Sequence, residues 1–132
     1  TDPELLEKLS TAKPHGASFL KNAPVGIVVC ADPQISDVWV EDASIATTFA
    51  HLAAASLDLG SCWIQIRERP HDDSQSAGEY TAALLGLPAH LQVLSIVAVG
   101  YPDESKQGHA TEKLNFEKVK FNHFGTPYRL RP

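Results

Sequence analysis

Two continuous apolar runs are the clearest pattern in the chain. The segments from Val25 to Ala31 and from Val93 to Val99 are rich in β-branched residues, and turn residues end both of them, Asp32-Pro33 after the first. Apolar runs of this length without alternation are typical of strands that are buried on both faces. We therefore predict that the two segments form neighbouring central strands of a sheet.

The stretch between these runs has the pattern of a long helix from Asp42 to Leu59. Asp42 is the expected N-cap, and Gly60 is the residue expected to end the helix. Because its alanines permit close approach and apolar residues cover most of its circumference, we expect the helix to be shared between the core and a subunit interface. Its apolar stripes are Ile45, Phe49 and Leu52, and Ala46, Ala50, Ala53 and Leu57.

Shorter elements surround these three segments. Asp2 followed by Pro3 predicts a capped first helix, and one more helical turn is expected before the first strand. The residues from Cys62 to Ile66 are expected to be a short strand, and those from Ala77 to Leu85 a helix that a glycine ends. This order predicts an α+β fold, with a central mixed sheet covered by helices, in a single domain over residues 1–132.

Composition narrows the classes of function. The chain has 132 residues, of which 43% are hydrophobic and 20% charged, as in a soluble globular domain. Its formal net charge is -5 and it has no basic stripe, so nucleic acid is not expected as a partner. No apolar segment reaches membrane-spanning length, and the first residues lack a signal-peptide pattern. We therefore expect a cytoplasmic protein without a membrane partner.

The cysteines and histidines indicate neither a disulfide nor a metal site. Cys30 and Cys62 lie inside apolar segments and form no Cys-x-x-Cys pair, so we expect both to be reduced and buried. The histidines show no ligand spacing, and no metal is predicted. A small molecule is the most natural partner.

Three segments, taken in order, resemble the nitroreductase family. The resemblance implies a nitroreductase-like fold, an FMN cofactor and a homodimer with the long helix at its interface. It also implies hydride transfer from NADH or NADPH to a small-molecule acceptor such as a nitroaromatic or a quinone. The segments are Asp42-Ala43-Ser44-Ile45-Ala46 leading to Leu52-Ala53-Ala54, then Leu59-Gly60-Ser61-Cys62-Trp63-Ile64, and Leu85-Gly86-Leu87-Pro88 followed by Ile96-Val97-Ala98-Val99-Gly100-Tyr101-Pro102.

The resemblance assigns the flavin contacts to two parts of the chain. The backbone of Trp63-Ile64-Gln65-Ile66 is expected beside the flavin ring, with an N–H near Gln65 reaching the ring nitrogen that accepts hydride. Lys106, or else Lys113, is expected at the FMN phosphate. Because the ring carries the hydride chemistry, no catalytic acid, base or nucleophile is predicted. The alternatives are a buried strand that packs its indole and two solvated surface lysines.

The family's usual beginning is missing from this sequence, namely an Arg-rich start and the Pro-Ser and Asn-x-Gln-Pro-Trp stretches. The chain is therefore expected to be N-terminally incomplete, and the alternative is a shortened relative that binds flavin weakly or not at all. Two other functions stay open. One is a flavin-binding or flavin-storing protein without turnover, and the other is a cofactor-less fold relative.

Other candidate residues have a plainer interpretation beside the functional one. His51 in the long helix faces a partner subunit or the ligand, or it is a satisfied surface residue. Arg67, Arg69 and His71 form a basic cluster able to steer a nicotinamide phosphate, with a solvated loop as the favoured alternative. The tail is expected to cover a partner surface because it is rich in apolar side chains, namely Phe116, Val119, Phe121, Phe124 and Tyr128.

Overall fold

Helices and strands alternate along the first part of the chain. A computed structural model describes residues 1–127 in two compact units, Thr1–Pro102 and a segment that begins at Asp103. A 3-10 helix over Ser18–Asn22 supplies the turn expected before the first strand. The α+β class is confirmed by the elements of the first unit, which are α1 (Pro3–Leu9), β1 (Val25–Ala31), α2 (Trp39–Ser56), β2 (Gly60–Gln65), α3 (Ala77–Leu85) and β3 (Gln92–Gly100).

The three strands form one antiparallel sheet in the order β1-β3-β2. Val97 of β3 lies opposite Ile27 on one side and opposite Trp63 on the other, so the two long apolar runs are neighbouring strands, as predicted. The expected mixed pairing does not occur in residues 1–127, because both pairings are antiparallel. β1 is an edge strand there, and Ile27 is 40% exposed. A β-branched run specifies a strand but not the number of its neighbours.

α1 and α3 begin with the side-chain caps that the sequence signals. The Asp2 carboxylate accepts a hydrogen bond from the Leu5 N–H at 3.1 Å, and Pro3 follows at the first helical position. Ser76 and Glu79 form a reciprocal capping box at the start of α3, each side chain accepting from the backbone N–H of the other residue. Both helices therefore begin where the sequence pattern places them.

α2 begins and ends earlier than predicted, and Asp42 is not its N-cap. Val38 occupies the cap position and makes no side-chain hydrogen bond there. Asp42 lies in the first turn, where its charge still favours the positive helix end, and its carboxylate accepts from Ser36 Oγ at 2.8 Å. A helix start without a polar cap leaves no capping signal in the sequence, so the pattern points to the nearest acidic residue instead.

The end of α2 is closed by Asp58 and not by Gly60. Asp58 has a left-handed backbone with φ of 55°. Its N–H bonds to the Ala55 carbonyl at 3.2 Å, and the Leu59 N–H bonds to the Ala54 carbonyl at 2.9 Å, which together make a Schellman motif. Asp tolerates this conformation because its side chain is short and polar. Gly60 therefore begins β2 instead.

The two faces of the sheet are built differently, since successive strand residues point to opposite sides. α2 covers one side, which we call the helix face, over a small buried cluster of Ala54, Val97 and Val99. α1, α3 and the 3-10 helix cover the other side, which we call the core face. Its buried members are Leu6, Leu9, Ala12, Ala17, Leu20, Ile64, Ile66, Ala77, Val93, Ile96 and Ala98.

A buried pair of hydroxyl groups joins α2 to the sheet on the helix face. Thr47 Oγ1 donates to the Ala43 carbonyl at 2.7 Å, and it lies 2.8 Å from Ser95 Oγ of β3. Because the Thr47 hydroxyl already donates its hydrogen to the Ala43 carbonyl, the Ser95 hydroxyl is the donor in the second bond. On the outward side of α2, the predicted stripe of Ile45, Phe49 and Leu52 is exposed by 54%, 64% and 59%.

Both cysteines are free thiols, but Cys62 is exposed and Cys30 is half-buried. The expectation of two buried thiols is therefore wrong, because both residues stand on edge strands of the described sheet. With β3 between them, the two strands lie about 10 Å apart. That distance is beyond the reach of a disulfide.

The second unit has little regular structure in residues 103–127. It contains 3-10 helices over Thr111–Lys113 and Phe116–Lys118. Of the tail side chains expected to cover another surface, Phe116 is half-buried, while Val119, Phe121 and Phe124 are exposed. Tyr128 lies outside the described residues.

Candidate functional site

Residues 63–66 lie at the end of β2 and divide their side chains between the two faces of the sheet. Ile64 and Ile66 are fully buried in the core face. Trp63 and Gln65 point to the helix face and are half-buried. The plain interpretation as a buried strand therefore fits the isoleucines, whereas Trp63 and Gln65 stay accessible.

The hydrogen-bond ladder turns the Gln65 N–H away from β3. The Ile66 N–H donates to the Leu94 carbonyl at 3.0 Å, and in an antiparallel pair only alternate residues bond to the neighbouring strand. The Gln65 N–H therefore points to the outer edge of β2. The Arg67 N–H bonds to the same Leu94 carbonyl at 2.9 Å, which is the pattern of a β-bulge directly after Gln65.

Side-chain hydrogen bonds tie this segment together on the helix face. Trp63 Nε1 donates to Gln65 Oε1 at 3.0 Å, and Gln65 Nε2 donates to the Arg67 carbonyl at 3.1 Å. The His51 ring of α2 is nearly parallel to the Trp63 indole, with ring centroids 6.2 Å apart, and its Nδ1 lies 2.7 Å from Ser61 Oγ. His51 is thus a satisfied polar residue that also contacts the candidate segment.

Glu68 binds both arginines of the predicted basic cluster. Its carboxylate lies 2.6 Å from Arg67 Nη2, and its carbonyl accepts from Arg69 Nη1 at 3.1 Å. Glu68 has a left-handed backbone with φ of 57° at the point where the chain leaves the bulge. The Arg67 guanidinium lies over the Trp39 ring, 5.7 Å from its centroid. This partial neutralisation favours the solvated-loop interpretation over steering of a phosphate.

Arg67 and Trp39 also line an open cleft of about 1230 Å³. The cleft is large enough for a ring-sized molecule, since small-molecule sites usually hold about 300 to 1,000 Å³. None of residues 63–66 lines it, and Arg67 connects it to the candidate segment. Its charged side chains are one base and two acids, and the lining includes Arg67, Glu68, Gln75, Glu79, Leu87 and Gln92.

The loop that borders this cleft is ordered by hydrogen bonds to carboxylates. The N–H and hydroxyl of Ser74 donate to Asp72 and lower the pKa of that carboxyl group. The hydroxyl and N–H of Ser76 likewise lower the pKa of Glu79. His71, the third member of the predicted basic cluster, stacks on the Tyr80 ring at 3.9 Å. These contacts fix the loop and do not supply a proton donor to the candidate segment.

The two predicted phosphate cations, Lys106 and Lys113, lie in the second unit and are exposed. Lys106 Nζ pairs with the Glu104 carboxylate at 2.5 Å. Lys113 ends the 3-10 helix Thr111–Lys113. Both positions have the exposure that a phosphate contact requires, and both also fit the solvated alternative.

Residues 1–127 contain neither a metal-binding cluster nor a membrane-spanning helix. No group of three or more His, Cys, Asp and Glu side chains in this part of the chain is arranged to hold a metal ion. No helix within it is both long enough and apolar enough to cross a membrane.

Sequence analysis missed Trp39 and the role of the Gln65 side chain. Trp39 lies before the predicted helix start, although it precedes the buried residues Ala43 and Thr47 at helical spacing. That spacing could have extended α2 backwards. The bonds of Gln65 had no signal in the sequence, because they depend on side-chain orientations along β2 and the residues that follow it.

The sequence profile of the Nitroreductase family matches residues 2–101. Two archaeal relatives, both with the provisional name NADH dehydrogenase/NAD(P)H nitroreductase, are similar to the chain. The one from Archaeoglobus fulgidus is 38% identical over 123 residues, covering 89% of this chain and 67% of the relative. The one from Methanothermobacter thermautotrophicus is 38% identical over 105 residues, covering 77% and 52%. The chain thus spans about half to two thirds of these relatives.

Solved structures show the same similarity. An FMN-dependent nitroreductase from Clostridium difficile superposes with a TM-score of 0.91 at 45% identity, over 93% of this chain and 72% of that chain. A protein from Parabacteroides distasonis, with the same provisional name as the archaeal relatives, gives a TM-score of 0.80 at 30% identity, over 94% and 70%.

Proposed function

Because this chain belongs to the nitroreductase family, we propose that it forms the greater part of an FMN-dependent oxidoreductase subunit that takes hydride from NADH or NADPH. The acceptor in this proposal is a small molecule such as a nitroaromatic or a quinone. We also propose that the protein works in the cytoplasm, which agrees with its two free thiols.

The observation that carries this proposal is the outward N–H of Gln65 at the edge of β2, next to the bulge at Ile66. A flat heterocycle with acceptor atoms along its rim fits such an edge. The similar structure from Clostridium difficile is named as FMN-dependent, which supports the choice of this cofactor. When bound, FMN supplies the hydride chemistry, and the backbone of residues 63–66 orients its ring and bonds to its rim.

We assign the phosphate end of the cofactor to Lys106, with Lys113 as the alternative. A charge-assisted hydrogen bond contributes about 1.5 to 3 kcal/mol, so Lys106→Ala should weaken FMN binding by about one to two decades with little effect on folding. Titration of the apoprotein with FMN measures this loss. If Lys106→Ala and Lys113→Ala both bind FMN like wild type, the assignment of the phosphate to these two lysines is wrong.

The cleft lined by Arg67 and Trp39 is a candidate entrance for the acceptor. Its lining carries one positive and two negative side chains, Arg67, Glu68 and Glu79, so it favours neutral or cationic molecules over anions. Because Arg67 lines this cleft, Arg67→Ala should change the KM for a neutral quinone more than the affinity for FMN. Steady-state kinetics with a quinone acceptor test this assignment.

We propose a homodimer that buries the exposed stripe of α2. Ile45, Phe49 and Leu52 recur at helical spacing and form an apolar surface on a helix whose opposite side packs on the sheet. Phe49→Glu should dissociate the dimer, whereas Lys21→Glu, an exposed position of the 3-10 helix on the other face of the sheet, should not. Light scattering of the full-length protein at micromolar concentration measures the outcome, and a wild-type monomer would refute the proposal.

One observation on the full-length protein separates this function from its two rivals. A yellow protein that NADH or NADPH bleaches supports the oxidoreductase, and reoxidation by a quinone completes the cycle. A yellow protein that neither nucleotide bleaches supports flavin storage. A colourless protein that FMN cannot reconstitute supports a cofactor-less relative and overturns the proposal.

A further inference from the structure

The Gln65 side chain bridges the segment that carries the outward N–H. Its amide oxygen accepts from Trp63 Nε1 at 3.0 Å and its amide nitrogen donates to the Arg67 carbonyl at 3.1 Å. The two contacts require the same orientation of the amide, because an indole N–H only donates and a carbonyl only accepts. Glu can only accept and Met makes neither bond, so this pair of contacts selects an amide.

These two bonds hold the backbone around the peptide unit that carries the outward N–H. The bond from Trp63 spans the peptide that joins Ile64 to Gln65, which is the one that carries the outward N–H. The bond to Arg67 spans the bulge, where two N–H groups share the Leu94 carbonyl. A bulge disrupts the regular ladder locally, so strand pairing holds the peptide units beside it less firmly than the others.

The bridge is anchored to α2 as well as to the strand. The Trp63 indole lies parallel to the His51 ring, and His51 Nδ1 is 2.7 Å from Ser61 Oγ at the start of the same strand. The chain of contacts thus runs from α2 through Trp63 to Gln65. A helix packed on the sheet therefore limits the movement of the amide bridge.

We propose that the Gln65 side chain is a positioning residue that fixes the direction of its own backbone N–H toward the flavin ring. This inference rests on the proposed function. The ring nitrogen that takes up hydride accepts a hydrogen bond when oxidised and carries a hydrogen when reduced. A firmly held N–H donor therefore favours the oxidised ring and lowers the midpoint potential of the bound cofactor.

The test compares Gln65→Met with wild type in the full-length protein loaded with FMN. Gln65→Met keeps the length of the side chain and removes both bonds, so the midpoint potential should rise, while FMN affinity stays within about threefold because the phosphate contact is untouched. Trp63→Phe removes one of the two bonds and should raise the potential less. Gln34→Met, an exposed glutamine in the loop after β1, is the matched control and should leave the potential unchanged.

Thermal unfolding of the apoprotein separates positioning from a purely structural role. If Gln65→Met and Trp63→Phe lower the unfolding temperature but leave the midpoint potential of the bound FMN at the wild-type value, the positioning role is overturned. A wild-type protein that binds no FMN would overturn the proposed function, and the positioning role with it. If Gln65→Met does not fold, the potential of Trp63→Phe alone decides between these outcomes.

Discussion

The core face and the helix face belong to the same three strands but differ in composition and packing. The core face is continuous and apolar, with Leu20, Ile64 and Ile96 fully buried. The helix face has a small apolar cluster, a buried hydroxyl pair between Thr47 and Ser95, and the polar contacts of residues 61–67. A sheet can thus keep its stability on one side and leave the other side adjustable for a ligand.

The largest expected effect is on the core face. Leu20 has no exposed surface, so Leu20→Ala should lower the free energy of unfolding by about 2 to 5 kcal/mol through lost burial and a cavity. Urea unfolding followed by circular dichroism measures it. In the Phe49→Glu background, where the proposed dimer is dissociated, the matched change Leu52→Ala on the outer side of α2 should cost less than about 0.5 kcal/mol. Equal losses at both positions would break the distinction between the faces.

The hydroxyl pair of the helix face should come next in size. Thr47→Val leaves the buried Ser95 hydroxyl without its acceptor, which costs about 1 to 3 kcal/mol. Adding Ser95→Ala to Thr47→Val should recover much of the loss, because both polar partners are then gone. A double-mutant cycle in urea measures the coupling, and simple additivity would show that the pair contributes nothing.

A Thr→Val substitution on α3 should change the free energy of unfolding in the opposite direction. Thr81 is fully buried, and its Oγ1 has no hydrogen-bond partner within residues 1–127. Thr81→Val removes an unsatisfied hydroxyl at nearly constant volume and should raise the free energy of unfolding by about 1 kcal/mol. Calorimetry of both valine variants compares the signs directly. Destabilisation by Thr81→Val would mean that the hydroxyl is satisfied after all.

The smallest effect concerns the starts of α2 and α3. Hydrogen bonds from Ser76 hold the pKa of Glu79 below its ordinary value in the folded protein. This contribution to stability is present above the unfolded pKa of about 4.3 and is lost as the pH falls through the lower folded pKa. Glu79→Gln should therefore reduce the acid dependence of unfolding, whereas Val38→Ala at the cap position of α2, which removes no titratable group, should leave it unchanged. Urea unfolding of each variant at a series of pH values from 6 downwards measures the free energy of unfolding and provides the comparison.

Local patterns predicted most of the fold, and the exceptions have physical causes. Asp2 with Pro3, and Ser76 with Glu79, mark helix starts through side-chain caps, so those boundaries were predictable. α2 has neither a polar cap nor a terminal glycine, and Asp58 takes the left-handed position that glycine usually holds. Its limits therefore carry no capping signal, and only the helical spacing of Trp39 with the buried Ala43 and Thr47 marks the early start.

The candidate site was predictable only as a stretch of chain. The resemblance indicates residues 63–66, but the outward direction of the Gln65 N–H depends on which strand lies beside β2 and on the register between the two strands. Both are properties of non-local pairing, which a single sequence does not contain.

Within residues 1–127 no strand pairs with the outer side of β2, which has a consequence for the protein's solubility. A strand edge that can receive a ring can also receive another strand, and unpaired edges are where sheet proteins aggregate. The bulge limits the run of outward N–H groups by ending the regular strand at Gln65, and Arg67, Glu68 and Arg69 follow it at once. Charged residues at a twisted strand end oppose strand addition. The bulge and the charged residues that follow it thereby oppose polymerisation of the chain along the outer edge of β2.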